Sequence, residues 1–333
     1  MWDFSIGRAL GLMAKTWPFI VFRMVVYFGI AAAYVLVTGT GAGIGWGIGA
    51  FGDADFQATS SIWGGVAGFA LTAGVIYFLR EYILYVVKAG HIAVLSELME
   101  GREIPAGRAQ IDHASAIVKE RFAEASVLFG ADQLVKGVLR AITGLVNGIA
   151  ALIPIPAIQS LTGVLRAFLN LSVGLLDEVI MAYAIRTKST NPWDSAKTAL
   201  VLYGQNYKVM FKNAAWLTVI TYGLAFVVFL VMLAPAAALV WFMPGGWSAG
   251  GFVFALIFAW AVKVALIEPF AIACMMEVYF KTIAGQAPDP AWDNRLSGMT
   301  KKFVELKDKA AAYVGRRFGG APAQPPSSFT PQA

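Results

Sequence analysis

Charged residues are scarce in this chain. Asp, Glu, Lys and Arg make up 14% of its 333 residues, and apolar residues make up 58%. Soluble domains carry about 25% charged and about 45–50% apolar residues. The apolar residues also fall in runs of about 20 or more, long enough to cross about 30 Å of hydrocarbon. The composition therefore excludes an ordinary soluble domain and predicts an all-α fold, a polytopic bundle of membrane helices.

Cysteine and histidine are almost absent, which narrows the possible chemistry. The single cysteine, Cys274, excludes an intrachain disulfide and a Cys-rich metal site. Two histidines, His91 and His113, are too few for a His-based metal site or proton relay. The chain contains no H-E-x-x-H or P-loop motif. Gly246-Trp247-Ser248-Ala249-Gly250 has the G-x-S-x-G spacing, but it lies between two apolar segments and not at the strand-to-helix turn that a nucleophile elbow requires. We therefore expect no enzyme, no cofactor and no metal. An intramembrane enzyme built from converging carboxylates remains a third alternative.

Glycine occupies every odd position from 39 to 49. The glycines of 39–49 do not by themselves complete the dinucleotide fingerprint G-x-G-x-x-G, because inside this stretch the position five residues after a glycine is never glycine. Gly47, Gly49 and Gly52 have that spacing, but they follow an apolar run of membrane-span length and not a predicted strand. We predict a flexible or closely packed loop over 39–52.

Six apolar segments predict six membrane spans within a domain covering residues 1–284. Pro154-Ile155-Pro156 and Pro244-Gly245-Gly246-Trp247 predict tight turns between neighbouring spans. A basic amphipathic segment, 285–318, and a disordered tail, 319–333, follow this domain. The predicted spans cover residues 17–37, 62–79, 130–153, 157–185, 214–243 and 251–279.

The distribution of Lys and Arg predicts which loops are cytoplasmic. Segments 80–125, 186–212 and 280–317 carry six, five and eight of these residues. The intervening loops, near 38–61, 153–157 and 244–250, carry none. Because cytoplasmic loops are enriched in Lys and Arg, we expect three hairpins in the inner (plasma) membrane, with both termini cytoplasmic.

Amphipathic helices are predicted at three places on the cytoplasmic side. Residues 5–22 and 195–212 form a faint repeat at an offset of 190, in which each copy leads into a span. A third helix, near 299–317, has an apolar face ringed by lysine and arginine. It suits either anionic lipid headgroups or pairing with another chain, so lipids and a homo-oligomer are the expected partners. Lipid explains its basic charge better than nucleic acid does, and we expect no nucleic-acid partner.

Ionisable residues inside spans are costly, by about 2.5–3.5 kcal/mol each, and often mark pathways or internal pairs. Glu268 lies near mid-span and precedes Pro269, which predicts a kinked helix. One interpretation makes Glu268 a cation or proton site, and the other makes it a structural ion-pair partner of Arg166 or Lys263. Asp177, Glu178 and Glu277 lie at the inner quarter of their spans and could reach interfacial water. Two deep aromatic residues, Tyr183 and Trp260, could face a ligand cation or pack in the core. The candidate pathway residues are thus Glu268, Lys263, Arg166, Asp177, Glu178, Glu277, Tyr183 and Trp260.

Part of the chain resembles the choline transporter-like family. The matching points between 179 and 212 are Ala182-Tyr183, Lys188-Ser189, Ser195-Ala196-Lys197, Ala199 and Asn206. Residues 277–284, followed by a polar segment and a Met-x-Lys-Lys stretch, resemble that family's C-terminal end. The resemblance covers about the last 130 residues and implies a transport-type membrane protein.

These observations predict a transporter or channel-like protein for a small solute, with a cation as one candidate, and a passage lined by the fourth and sixth spans. The alternative is a membrane scaffold or lipid-interacting protein that transports nothing.

Overall fold

The computed structural model describes residues 1–121, 130–141, 144, 168, 172, 174–188, 191–241 and 250–317, and the regular structure in these residues is entirely helical. Residues 130–141 and 174–186 are helical. The remaining elements are α1 (Ile6–Lys15), α2 (Trp17–Gly49), α3 (Ala54–Met99), α4 (Ala109–Arg121), α5 (Pro192–Gln205), α6 (Tyr207–Trp241), α7 (Gly250–Val262), a π-helical turn (Lys263–Ile267), α8 (Glu268–Thr282), α9 (Pro290–Met299) and α10 (Lys301–Arg317).

Four helical stretches are long and apolar enough to cross a membrane: Trp17–Gly49, Ala54–Ile76, Tyr207–Leu239 and Gly251–Thr282. They coincide with the first, second, fifth and sixth predicted spans, which confirms a helical fold with four apolar helices of membrane-spanning length. The predicted third and fourth spans lie partly outside the described residues. The two predicted turns at 154–156 and 244–247, Arg166, and the predicted disordered tail 319–333 also lie outside them.

The predicted glycine-rich loop is wrong over most of its length. Residues 39–49 continue α2, and the turn to α3 lies between Gly49 and Ala54. Glycines spaced four apart lie on one face of α2 and meet the α3 backbone. A Cβ atom at Gly41 would lie 2.2 Å from the Gly64 carbonyl oxygen, and one at Gly45 would lie 2.0 Å from the Ser60 carbonyl oxygen. Close backbone packing between membrane helices requires such small residues, and it outweighs the weak helix propensity of glycine.

The chain divides into two compact units. Unit 1 comprises residues 1–118 and 211–280, and unit 2 comprises residues 119–210 and 281–333. Unit 1 contains the α2–α3 hairpin and the whole of α7, the π-helical turn and most of α8. Unit 2 contains α5, α9 and α10, together with the helical residues 130–141 and 174–186.

The C-terminal basic helix α10 packs its apolar face within unit 2. Phe303, Leu306 and Ala310 are buried, and α10 lies against α5. The Asn191 side-chain amide donates to the Ala310 carbonyl oxygen at 2.9 Å, and the Lys309 ammonium lies 5.0 Å from the Trp193 ring centre. The apolar face that predicted lipid or partner-chain contact is therefore largely covered by α5, while the flanking lysines remain on the outside.

The faint repeat at an offset of 190 reappears in the backbone. The helix breaks at Thr16 between α1 and α2, and at Asn206 between α5 and α6, with φ/ψ of −102°/25° and −106°/19°. The Thr16 hydroxyl donates to the Leu12 carbonyl oxygen, and the Asn206 amide donates to the Leu202 carbonyl oxygen, each at 2.9 Å. Each break therefore uses a polar side chain to bond the carbonyl four residues earlier, in the same way.

Candidate functional site

The sixth predicted span changes its helical register at Lys263–Ile267, immediately before Glu268 and Pro269. Here the Glu268 N–H donates to the Lys263 carbonyl oxygen, five residues back, as a π-helix requires. In the same register the next donor would bond the Val264 carbonyl oxygen, but that donor position is Pro269, which has no N–H. The register change therefore leaves one carbonyl in the span without its helical partner.

Arg23 of α2 supplies the missing donor. Its Nη2 atom donates to the Val264 carbonyl oxygen at 2.8 Å, and the residue is only 2% exposed. An unsatisfied backbone carbonyl costs several kcal/mol in a bilayer, so this bond explains why an arginine is buried at this point. The bond also ties α2 to the sixth span.

Glu268 forms an ion pair with Lys263. Glu268 Oε1 lies 2.9 Å from Lys263 Nζ, and the two side chains are 24% and 20% exposed. The Lys263 ammonium also lies 5.8 Å from the centre of the Tyr222 ring. Because both charges belong to one helical run, the pair bridges the π-helical turn and does not join two helices. Of the two predicted partners, Lys263 is therefore confirmed, and the other, Arg166, is outside the described residues.

The other predicted site residues of unit 1 make structural contacts. The Trp260 ring lies edge-on to Tyr27, with 5.5 Å between ring centres. Glu277 accepts a hydrogen bond from the Ser5 backbone N–H at 3.1 Å and lies 3.5 Å from the Arg8 guanidinium. Glu277 therefore holds the start of α1.

Unit 2 holds the remaining predicted residues. Asp177 and Glu178 are buried, and an Asp177 oxygen lies 3.6 Å from the Lys136 ammonium. Lys136 also binds Asp132 at 2.7 Å. Sequence reasoning missed this lysine, although its spacing of four residues from Asp132 inside an apolar segment was a usable signal. Tyr183 is partly buried and lines a pocket of the same unit. The structure thus pairs Lys263 with Glu268 in unit 1 and places Asp177 near Lys136 in unit 2.

His91 is a second polar residue that sequence reasoning set aside. Its Nε2 atom lies 3.0 Å from the Thr16 hydroxyl, and its ring stacks on Phe19 with 5.2 Å between ring centres. Burial, together with the positive charge of Arg23, lowers the pKa of His91 well below its usual value. His91 is therefore neutral at physiological pH and pairs with the residue at which α1 ends. Among the described residues, no group of His, Cys, Asp and Glu could hold a metal ion.

Comparison with protein-family models, curated proteins and solved structures finds no match to this chain.

Proposed function

We propose that the chain is a transporter or channel-like protein for a small charged solute, and that the π-helical turn of the sixth span carries its polar site. The observation behind this proposal is the Lys263–Glu268 ion pair, which lies at a break in a membrane helix and keeps 20% and 24% of its side chains accessible. Non-helical or irregular backbone at membrane depth is tolerated where it lines a cavity or is buried in protein.

The chemistry of this pair suits exchange of partners. A cationic solute would bind Glu268 by replacing Lys263, whose ammonium would keep the Tyr222 ring as a partner. An unpaired charge is costly in a low-dielectric interior. In this exchange the solute would neutralise the Glu268 carboxylate, and the Tyr222 ring would face the Lys263 ammonium. We place a cation first among the candidate solutes for this reason, in line with the resemblance to the choline transporter-like family.

We further propose six spans in three hairpins in the inner membrane, with both termini cytoplasmic. The support is the charge pattern: the loop between α2 and α3 lacks Lys and Arg, whereas segments 186–212 and 280–317 carry five and eight of these residues. The predicted third and fourth spans contribute two of the six, and a homo-oligomer is compatible with this arrangement.

A non-transporting membrane scaffold is the second candidate. It is supported by Arg23 and Glu277, whose charges serve packing contacts, and by the outward lysines of α10, which suit anionic headgroups. Enzymatic activity is not part of either proposal.

Replacing Glu268 by Gln separates the two candidates. The assay uses proteoliposomes and three ions: labelled choline, labelled rubidium, and protons, whose entry is reported by a pH-sensitive dye inside the vesicles. We expect the parent chain to pass at least one of these three ions. The Glu268→Gln variant should lose about tenfold or more of that flux, because Gln cannot offer a charge to a cation. It should lose only about 1–2 kcal/mol of stability, since Lys263 retains the Tyr222 ring and some water.

Glu277→Gln is the matched control on the same span. It should weaken the anchoring of α1 and lower the unfolding temperature, yet retain most of the flux. The exchanged pair Lys263→Glu with Glu268→Lys should recover stability without recovering flux. A parent chain that passes none of the three ions, or a Glu268→Gln variant with full flux, would reject the Glu268 pathway and favour the scaffold.

Cysteine labelling tests the proposed topology. Ala54→Cys, beside the α2–α3 turn, should react with an impermeant thiol reagent in intact cells, and Ser115→Cys in α4 should react only after permeabilisation. Both positions are exposed, whereas the native Cys274 is buried and gives a low background. Labelling of Ser115→Cys in intact cells would reverse the proposed orientation of the first hairpin.

A further inference from the structure

Unit 2 contains an open pocket of about 810 Å³ that plays no part in the proposed transport site. Its wall comes from the end of the helical residues 174–186, the first turns of α5, and α10. Its lining includes one acidic residue, Asp194, three lysines and four hydroxyl residues: Lys188, Lys197 and Lys307, and Tyr183, Thr187, Ser195 and Thr198. The pocket therefore offers an excess of positive charge and of hydrogen-bond donors.

Lys188 has an unusual backbone for a lysine. Its φ is 53°, in the left-handed region, just after the helical residues 174–186 end. Glycine is the usual residue at such a helix end, because it has no Cβ to clash with the following carbonyl. All other described residues with positive φ are glycines, namely Gly101, Gly107 and Gly285. Strained backbone conformations cluster at binding sites, so a non-glycine residue in this conformation at a pocket wall is a candidate binding residue.

Of the three pocket lysines, Lys188 is the one that forms no ion pair with an acidic residue in the described part of the chain. Lys197 forms an ion pair with Asp194 at 2.7 Å, and Lys307 is paired with Asp293. Within the described part of the chain, no acidic side chain forms an ion pair with Lys188, which is exposed. An anion entering the pocket would therefore meet one unneutralised ammonium, flanked by two further lysines.

We propose that this pocket binds a phosphate-bearing anion, with Lys188 as its main anchor. Phosphate suits the lining because its oxygens accept several charge-assisted hydrogen bonds from ammonium and hydroxyl groups at once. Lys188 follows the end of the predicted fourth span by three residues, so a lipid headgroup is one source of the phosphate, and a soluble phosphate compound is the other.

The test uses the full chain in nanodiscs of phosphatidylcholine. In one arm inorganic phosphate is added, and in the other the nanodiscs contain increasing amounts of phosphatidic acid. Thermal unfolding is followed in both arms, and bound lipid is counted by native mass spectrometry. We expect a saturable rise in the unfolding temperature. A rise with phosphatidic acid alone identifies a headgroup site, and a rise with inorganic phosphate identifies a site for soluble phosphate compounds.

Two substitutions of Lys188 make the test specific. Lys188→Gln and Lys188→Gly should each weaken the apparent affinity about tenfold, the loss expected for one charge-assisted contact. Without ligand, Lys188→Gly should unfold at a higher temperature than the parent, because glycine accepts the left-handed backbone. A purely structural role for Lys188 would leave the ligand response unchanged in this variant.

Lys301→Gln is the control, since Lys301 is exposed on α10 and does not line the pocket. It should keep the parent affinity within about twofold. The proposal is overturned if neither probe raises the parent's unfolding temperature, if the Lys188 variants respond like the parent, or if Lys301→Gln loses as much affinity as they do.

Discussion

Gly45→Ala is expected to open the α2–α3 hairpin at the cost of about 3 kcal/mol or more of stability, as overpacking in a tight interface does. The added methyl carbon would lie 2.0 Å from the Ser60 carbonyl oxygen and 3.1 Å from the Ser61 Cα. Both neighbours are backbone atoms, so no side chain can rotate away, and the two helices must separate. Unfolding in mixed detergent micelles would measure the loss.

Gly43→Ala is the matched control, two residues away in the same helix. A Cβ atom at Gly43 meets no atom within 4 Å. Alanine favours helix over glycine by about 1 kcal/mol, so this variant should be as stable as the parent or slightly more stable. Equal losses for the two variants would show that glycine is needed for flexibility in this segment and not for close packing.

Arg23→Met is the second substitution with a large expected effect. It removes the donor to the Val264 carbonyl oxygen and should cost about 2 kcal/mol, the usual penalty for leaving a buried carbonyl unsatisfied. Pro269→Ala restores a backbone N–H next to the register change. In the Pro269→Ala protein the Val264 carbonyl oxygen regains a donor in its own helix. Arg23→Met should therefore cost less than about 1 kcal/mol there. Such a dependence of one substitution on another is common between residues in contact. Chemical unfolding of the four proteins in the same micelles measures this coupling.

Arg8→Met is the control, because it also replaces an arginine by methionine but does not remove the donor to the Val264 carbonyl oxygen. The Arg8 side chain is 54% exposed, and an exposed pair such as Arg8–Glu277 contributes about 0.2–1 kcal/mol. Its effect should be the same with and without Pro269→Ala. If Arg23→Met costs the same stability with and without Pro269→Ala, then Arg23 does not replace the missing N–H, and its burial needs another explanation.

The Lys263–Glu268 ion pair near mid-span was predictable in part. Glu268 stood out because a carboxylate before proline near mid-span is costly, and Lys263 was within reach along the same helix. The role of Arg23 was not predictable, because it is 241 positions from Val264 and bonds a backbone atom. Side-chain identities can suggest an ion pair. A side-chain donor to a backbone carbonyl is revealed only when the register of the helix and the helix that packs against it are both known.

Position along the chain did not show the contacts of Glu277 or of the basic C-terminal helix. Glu277 was placed at the inner quarter of its span, and the structure adds that it accepts a hydrogen bond from the Ser5 backbone N–H. The apolar face of α10 was expected to meet lipid or another chain, but α5 covers it. Amphipathicity shows that a helix must bury one face, and it does not show which surface covers that face.

The sequence by itself determined that this is an all-helical membrane protein, and it located the four apolar helices that the structure describes. It could do so because hydrocarbon thickness and backbone hydrogen bonding allow few solutions for long apolar runs. The tertiary structure alone decided that the glycine-rich segment is a helix, that Arg23 completes the π-helical turn, and that Lys188 stands in a strained position at a basic pocket. Each of these depends on atoms brought together by packing, and local propensity contains no information about which atoms those will be.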